Sequence, residues 1–342
     1  MIQFDEEKME LMNSIGWHAK KQIGKIGNGT DSKDGIYSVF QEVMNYFVDE
    51  FQEGYGNKIE VRIDEKQKVT IRDYGRGMGF EERYANSKSP KKTMEVTGFG
   101  IDAVYVLCGG VEMYVYKDKI REHRFYSHNI QSHSDKRKTR EKDGLSIVFD
   151  FYHRMLFMKY WFDDGILLNM LQNISYLNPG LEIVYIRDYM KVRMKSKEGL
   201  VDLLKDKQQL KGEYLYPIIH LSDERMEVAL THSCANDSRM YLFVNGRFVE
   251  QDNPCFLAYR EILVNALLKY YYFESFSAED VLSGLIGAFS IYIDENESVT
   301  DRMKDFFSKE LWLYLFRNTR VSDMFLMKMN IAKNKRELLS RY

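Results

Sequence analysis

Long apolar runs are missing from this sequence of 342 residues. No stretch approaches the roughly 20 consecutive apolar residues that cross a bilayer, so no membrane partner is predicted. The first residues lack the basic-then-apolar order of a signal peptide. Cysteine is scarce, and Cys108, Cys234 and Cys255 have no metal-type spacing. These absences predict a cytoplasmic protein with reduced thiols.

Charge of one sign is not in excess either, because 49 Lys and Arg residues face 51 Asp and Glu residues and the formal net charge is −2. This balance excludes a protein that coats nucleic acid with its whole surface, although it allows a local basic groove. The sequence also lacks a Walker P-loop, a Ser-His-Asp arrangement and His/Cys metal spacing. We therefore set aside P-loop NTPases, hydrolases of the Ser-His-Asp type and zinc proteins, and we predict no metal-ligand set.

An amphipathic helix is predicted over residues 36–53, where apolar residues recur every three or four positions. Glu42 and Glu50 lie about 80° apart on this helix, so both can border one pocket. A buried carboxylate beside a phosphoester can orient and deprotonate a water molecule. Glutamate is also common on solvated helix faces, and the pair alone is better explained in that way.

A glycine-bearing turn follows a predicted hairpin with strands at 58–63 and 68–72. It contains Asp73, Gly75, Arg76 and Gly77, and its glycines allow the backbone to approach a ligand closely. An Asp at a strand end can accept a hydrogen bond from an exocyclic amine such as that of adenine. The plain alternative is an ordinary hairpin loop.

A second glycine pair, Gly98 and Gly100, precedes an apolar run that predicts a helix from residue 101. Backbone N–H groups at a helix N-terminus bind phosphate through their aligned dipoles. An ordinary helix start is the alternative. The order of the parts is more informative than any part: acidic helix, strand, Asp-x-Gly-x-Gly, polar loop, Gly-x-Gly, helix.

Strands are predicted at 111–116, 120–126 and 145–151, and the charge run 133–142 (HSDKRKTREK) lies between the last two. This run allows two interpretations. We favour a solvated hairpin loop, and the alternative is a contact with nucleic-acid phosphates.

The order of these motifs resembles that of the GHKL ATPases, and within them the ATPase region of the gyrase and topoisomerase IV B subunits. The segments that carry the resemblance in the first half are 40–63, 69–78 (VTIRDYGRGM), 97–107 (TGFGIDAVYVL), 144–149 and 177–183. In the second half they are 198–200, 226–230 and 284–286. The resemblance implies an α+β protein: a GHKL (Bergerat) α/β sandwich over residues 1–195, followed over residues 196–342 by a transducer domain of the ribosomal-protein-S5-like α+β fold.

The resemblance also implies roles for individual residues. Glu42 would be the general base that activates the attacking water, and Asp73 would bind the adenine amino group with help from Ser146. Glu50 and Arg76 would form a salt bridge beside the adenine. The remaining implied ligand-binding positions are Gly75 and Gly77 near the base, and Gly98 and Gly100 at the phosphates.

Two positions depart from the family pattern. Tyr46 stands where the family has an Asn that binds Mg²⁺, and a tyrosine hydroxyl is a poor ligand for this cation. Asn45 is adjacent, but one helical residue turns a side chain by about 100°. Met303 stands at the family's phosphate-binding lysine, and Arg302 or Lys304 is the nearest substitute. The cofactor implied is ATP, whereas Mg²⁺ is left open.

Three functions are compatible with these observations. The first is an ATP-operated clamp that forms a nucleotide-dependent homodimer, acts on DNA and relies on a separate DNA-cleavage subunit, since no Glu-Gly-Asp run occurs. The second is a degenerate nucleotide-binding or scaffold module with little hydrolysis. The third is a MutL-like repair or defence ATPase, supported by residues 243–247 (FVNGR). The basic tail Met327–Tyr342 is a candidate contact for DNA or a partner.

Overall fold

The computed structural model describes residues 33–79, 108–127, 130–151, 161–208, 214–293 and 299–340. The chain divides into two compact units, Met1–Lys197 and Glu198–Tyr342. Each unit combines a β-sheet with helices, so the predicted α+β class is confirmed. The predicted glycine pair Gly98 and Gly100 lies outside the described residues.

The first unit is built on one large sheet. Its described elements are α1 (Lys33–Gln52), β1 (Lys58–Ile63), β2 (Val69–Asp73), β3 (Cys108–Lys117), β4 (Ile120–Ser127), β5 (Ile130–Lys138), β6 (Gly144–Phe151), α2 (Asp164–Leu177), β7 (Glu182–Arg187) and β8 (Met190–Met194). The strand order is β5-β4-β3-β6-β2-β1-β7-β8. Strands β1 and β7 run parallel, and the other neighbours pair antiparallel.

One face of this sheet forms the core. Alternate residues of the central strands, among them Val61, Ile71 and Ile147, are completely buried with Phe40 and Val43 of α1. This follows from the two-residue period of a strand, which sends every second side chain to the same face. We call the opposite face, which carries Arg72, Glu112 and Tyr114, the outer face.

The charge run at 133–142 is not the loop that we favoured. Residues up to Lys138 belong to β5, which pairs antiparallel with β4 at the end of the sheet. Its side chains at 133, 134 and 136–138 are exposed. Charged residues are common on edge strands because they discourage pairing with another chain.

The second unit contains a five-stranded sheet covered by helices. Its described elements are α3 (Leu200–Gln208), β9 (Ile219–Ser222), β10 (Met226–His232), β11 (Arg239–Val244), β12 (Arg247–Val249), α4 (Pro254–Tyr270), α5 (Ala278–Leu282), β13 (Leu285–Ile291), α6 (Val299–Phe306), a π-helical turn (Phe307–Leu311), α7 (Trp312–Arg317) and α8 (Thr319–Leu339). The strand order is β12-β11-β13-β10-β9. No helix in the described ranges has the length and apolar character needed to cross a membrane.

Candidate functional site

A strip of buried polar side chains runs along α1. Each of its members is between 2% and 8% exposed, and they are Gln41, Glu42, Asn45, Asp49 and Glu50. The first four fall within an arc of about 100° on the helix, and Glu50 lies about 80° beyond Glu42. Burying polar groups costs free energy unless they are hydrogen-bonded, so a helix that only filled the core would not carry this strip. It is the first indication of a site.

Glu50 connects the end of α1 to the turn after β2. Its Oε1 accepts hydrogen bonds from the backbone N–H and the Nε–H of Arg76, at 2.8 and 3.1 Å, and its Oε2 accepts one from Nη2 at 2.8 Å. This contact raises the pKa of the Arg76 guanidinium. The close approach requires Gly75, because a Cβ at that position would lie 2.6 Å from Glu50 Oε1.

Asp73, the last residue of β2, is 3% exposed and held by the backbone. Its Oδ1 accepts hydrogen bonds from the N–H of Leu145, at 2.8 Å, and of Gly75, at 3.2 Å. Gly144 makes room for this arrangement, since a Cβ there would lie 2.4 Å from the backbone oxygen of Asp73. Gly144 was predicted only as part of the segment 144–149, although a glycine directly before a predicted strand was the available signal.

Gly77 packs against β3, and its predicted role of admitting the adenine stays a prediction. Its φ is +67°, and a Cβ at this position would lie 2.1 Å from the backbone oxygen of Tyr116 in β3. The missing side chain therefore lets the turn pack on β3.

Ser146 is not brought to Asp73. It pairs with Arg72 on one side and with Tyr114 on the other, so its side chain lies on the outer face. Asp73 follows Arg72 in the same strand and therefore points to the opposite face. The predicted help from Ser146 at the adenine finds no support in this register, and Leu145 contributes its N–H to Asp73 instead.

Tyr46 is 3% exposed and belongs to the apolar core of the first unit. Neighbouring Asn45 already accepts a hydrogen bond on Oδ1 from Gln41 Nε2 at 3.0 Å. Asn45 Nδ2 is buried without a hydrogen-bond acceptor among the described residues. A buried tyrosine at position 46 and an engaged Asn45 oxygen do not match the Mg²⁺ ligand of the family pattern.

The remaining candidates lie in the second unit. Lys304 forms an ion pair with Asp301 at 3.6 Å, Arg302 with Asp223 at 3.0 Å, and Met303 is buried in the core of this unit. Their predicted roles at the nucleotide stay predictions.

The basic tail is largely engaged within its own unit. Lys328 Nζ donates to the backbone oxygen of Ala235 at 2.9 Å, Lys333 forms an ion pair with Glu274, and Arg336 donates to both carboxylate oxygens of Asp280. Three basic residues of the tail thus have partners within the chain, and their presence in the sequence does not require a contact with DNA or with another protein.

The segment 243–247 forms a two-residue hairpin turn. Val244 pairs with Arg247, and Asn245 and Gly246 between them have φ values of +51° and +75°. Asn-Gly is the preferred sequence for a turn with two positive φ angles. Local turn chemistry therefore accounts for this motif, and the MutL-like interpretation stays a prediction.

The chain is similar to known B subunits of type IIA topoisomerases. It is 28% identical over 306 residues to the B subunit of DNA topoisomerase 4 from Borreliella burgdorferi, covering 85% of this chain and 50% of that protein. It is 24% identical over 367 residues to the B subunit of DNA gyrase from Thermotoga maritima, covering 92% and 57%. The chain thus spans about half the length of these curated relatives. No family model matches it.

Solved structures show the same fold. The 43K ATPase domain of Thermus thermophilus gyrase B, in complex with an aminocoumarin, has a TM-score of 0.69 at 19% identity and covers 90% of this chain and 92% of its own. The gyrase B protein from Myxococcus xanthus has a TM-score of 0.67 at 14% identity, with 86% and 94% covered. These similarities confirm the predicted resemblance and the predicted fold.

Proposed function

We propose that this chain, a divergent relative of the B subunits of type IIA topoisomerases, binds ATP through its first unit with the adenine against Asp73. The observation that carries the proposal is the fixed carboxylate at the end of β2. Two backbone N–H groups hold Asp73 Oδ1 at 2.8 and 3.2 Å, so the orientation of the acid is set before a ligand arrives. Such preorganisation lowers the entropic cost of binding.

The ion pair of Glu50 and Arg76 helps to fix the position of Asp73 through the turn that follows β2. Glu50 accepts the backbone N–H of Arg76 as well as two guanidinium N–H groups, and therefore positions the turn that contains Gly75. Gly75 in turn donates to Asp73. In this proposal Glu50 and Arg76 are positioning residues, because they act on the nucleotide through the turn.

Hydrolysis would use Glu42 as the general base. It lies in the buried strip on the same helix as Glu50, about 80° away around the helix axis. Its carboxylate would take a proton from the attacking water while the new P–O bond forms at the γ-phosphorus and the bond to the β-phosphate oxygen breaks, which releases ADP. A carboxylate in this role contributes about 10²–10⁴-fold to a rate.

We expect turnover to be slow, because Tyr46 in the apolar core does not replace the family's Mg²⁺ ligand. The same observation favours a second candidate function: a nucleotide-binding module that does not hydrolyse ATP. Both candidates require binding at Asp73, and they differ in what happens afterwards.

The relatives are subunits of DNA topoisomerases. By that similarity we propose that bound ATP closes a homodimer of this chain into a clamp on DNA, and that a separate polypeptide supplies DNA cleavage. Light scattering with and without a non-hydrolysable ATP analogue tests the clamp. A rise to twice the monomer mass supports it, and a constant monomer mass contradicts it.

A paired measurement separates the two candidates. ATP binding is measured by calorimetry, and phosphate release is measured on the same preparation with and without Mg²⁺. Binding with release that disappears in Glu42→Gln supports the ATPase. Binding without release in either condition supports the binding module, and absence of binding at millimolar ATP contradicts both.

A further inference from the structure

Two histidines and an aspartate meet on the outer face of the sheet, on β4 and β5. His123 stands directly opposite Asp135 in the antiparallel register, and His133 stands opposite Phe125. Residues 133 and 135 share a face because side chains alternate along a strand. One ligand atom each from His123, His133 and Asp135 lies within 4.8 Å of the others.

The spacing of these atoms suits a shared cation. His123 Nδ1 and Asp135 Oδ1 are 3.2 Å apart. Two ligands at about 2.0–2.1 Å from a tetrahedral ion are separated by roughly 3.4 Å. The histidine rings are 6.1 Å apart between centroids and inclined at 63°, so their nitrogens can converge without stacking of the rings.

Neighbouring groups hold the first histidine in place. The His123 ring stacks on Tyr114 with centroids 4.6 Å apart and planes 11° from parallel. The Nε2 atom of His123 lies 3.5 Å from Glu112 Oε2. The Glu112 carboxylate also accepts hydrogen bonds from Lys68 Nζ and from the Tyr114 hydroxyl. A ligating histidine whose second nitrogen faces a carboxylate is the usual arrangement at protein metal sites, since it fixes the tautomer and ring orientation.

The aspartate is oriented in a comparable way. Arg137 Nε donates to Asp135 Oδ2 at 2.6 Å, which leaves Oδ1 on the side of His123. His133 is exposed, whereas His123 and Asp135 are half-buried. His123 and Asp135 are therefore held in place by their neighbours, and the exposed His133 leaves the cluster accessible to a cation from solvent.

We propose that His123, His133 and Asp135 bind a first-row divalent cation of the Zn²⁺ type, with a fourth position open to water. Two imidazoles and one carboxylate favour Zn²⁺ over Mg²⁺ and Ca²⁺, which prefer oxygen ligands. The ion links β4 to β5 and thereby stabilises the edge of the sheet. The site lies on the opposite face from Asp73, and its existence is independent of nucleotide binding.

The test is a titration of the nucleotide-free chain with ZnCl₂ in a Cys234→Ser background, because Cys234 is an exposed thiol. Any purification tag that contains histidine is removed first. We expect one Zn²⁺ per chain, an affinity at least about tenfold weaker in His133→Ala, and roughly tenfold weaker in Glu112→Gln. The matched control is His220→Ala, since His220 is another exposed histidine bonded to a carboxylate, Glu227, in the second unit. Its affinity is expected to be unchanged.

Two further measurements keep the proposal falsifiable if a variant is unstable. Co²⁺ should give the visible absorption of a low-symmetry nitrogen/oxygen site, which His123→Gln and His133→Ala both remove. Zn²⁺ should raise the unfolding temperature of the parent chain but not of His133→Ala. Absence of saturable Zn²⁺ binding at concentrations up to roughly millimolar, or binding that is unchanged in both histidine variants, overturns the site. Equal losses in His133→Ala and His220→Ala indicate non-specific surface binding and overturn it as well.

Discussion

Gly144 packs directly on Asp73, so that a methyl group at Gly144 would lie 2.4 Å from the backbone oxygen of Asp73 and 2.9 Å from its Oδ1. The φ of Gly144 is +141°, a backbone conformation that L-residues rarely adopt. The glycine at the start of β6 thus determines whether the acid at the end of β2 can keep its position.

Gly144→Ala should therefore destabilise the chain by about 3 kcal/mol, from backbone strain and the contact with Asp73 together. The matched control is Gly54→Ala. Gly54 has a φ of +87° but nothing within 4 Å of an added Cβ, so strain alone should cost about 1 kcal/mol. Urea unfolding measures both. Equal losses would contradict the contact.

Glu50 and Arg76 should be energetically coupled. The Glu50 side chain is 1% exposed and that of Arg76 is 22% exposed, so loss of either partner leaves a poorly solvated charge. A double-mutant cycle with Glu50→Gln and Arg76→Gln should give a coupling of about 1–3 kcal/mol in the free energy of unfolding. The exposed pair Glu198–Lys205 is the control, with about 0.2–1 kcal/mol expected. Similar couplings for the two pairs would argue against a positioning role.

Glu42→Gln should abolish ATP turnover and leave the dissociation constant for ATP within about threefold of the parent, because it removes the base but keeps the size of the side chain. Glu65→Gln, at an exposed position in the β1–β2 turn, is the control and should change neither quantity. Phosphate release and calorimetry are measured on the same samples. Turnover that persists in Glu42→Gln would assign the base to another group.

His232 should make the second unit sensitive to acid. Burial, together with the nearby Lys328, lowers the pKa of His232 to about 3, and its Nδ1 lies 2.6 Å from the Tyr216 hydroxyl. The unfolded state, with a pKa of about 6.5, takes up the proton first, so stability falls as the pH decreases below about 6.5, by up to about 1.4 kcal/mol per pH unit.

The variants His232→Gln and His220→Gln should change the loss of stability in acid in opposite directions. The hydrogen bond to Glu227 raises the pKa of His220. Its stabilising contribution is complete below about pH 6.5 and is lost as the pH rises through the folded-state pKa. Urea unfolding at about pH 7 and about pH 5 should show a smaller acid loss in His232→Gln and a larger one in His220→Gln than in the parent. The same pH dependence in all three proteins would contradict this assignment.

Local periodicity was sufficient to predict much of the first unit. The helix predicted at 36–53 is α1 at Lys33–Gln52, and the strands predicted at 111–116, 120–126 and 145–151 correspond to β3, β4 and β6. The charged strand β5 was missed because its composition is that of a loop. It forms a strand because it pairs with β4, and this pairing depends on tertiary structure, which cannot be predicted from local composition.

The family resemblance was sufficient to predict one contact of the site, between residues 26 positions apart in the sequence. Glu50 and Arg76 form the ion pair that the family resemblance implied. The position of Ser146 depended on strand register, which decides which face a side chain occupies and cannot be derived from one strand alone. Register also brings His123 to Asp135, although these residues are twelve positions apart and lack metal-type spacing.

The central claim is that adenine nucleotide binds against Asp73, and calorimetric titration of ATP into Asp73→Asn tests it most directly. The asparagine oxygen can still accept the Leu145 N–H, which turns the new NH₂ group toward the amine of the base, where two donors oppose each other. We predict saturable binding by the parent chain, an unchanged affinity in the exposed control Asp150→Asn, and an affinity at least about tenfold weaker in Asp73→Asn, which corresponds to about 1.4 kcal/mol or more. No binding of ATP or ADP to the parent at millimolar concentration, or equal affinities in the parent and Asp73→Asn, would contradict the account.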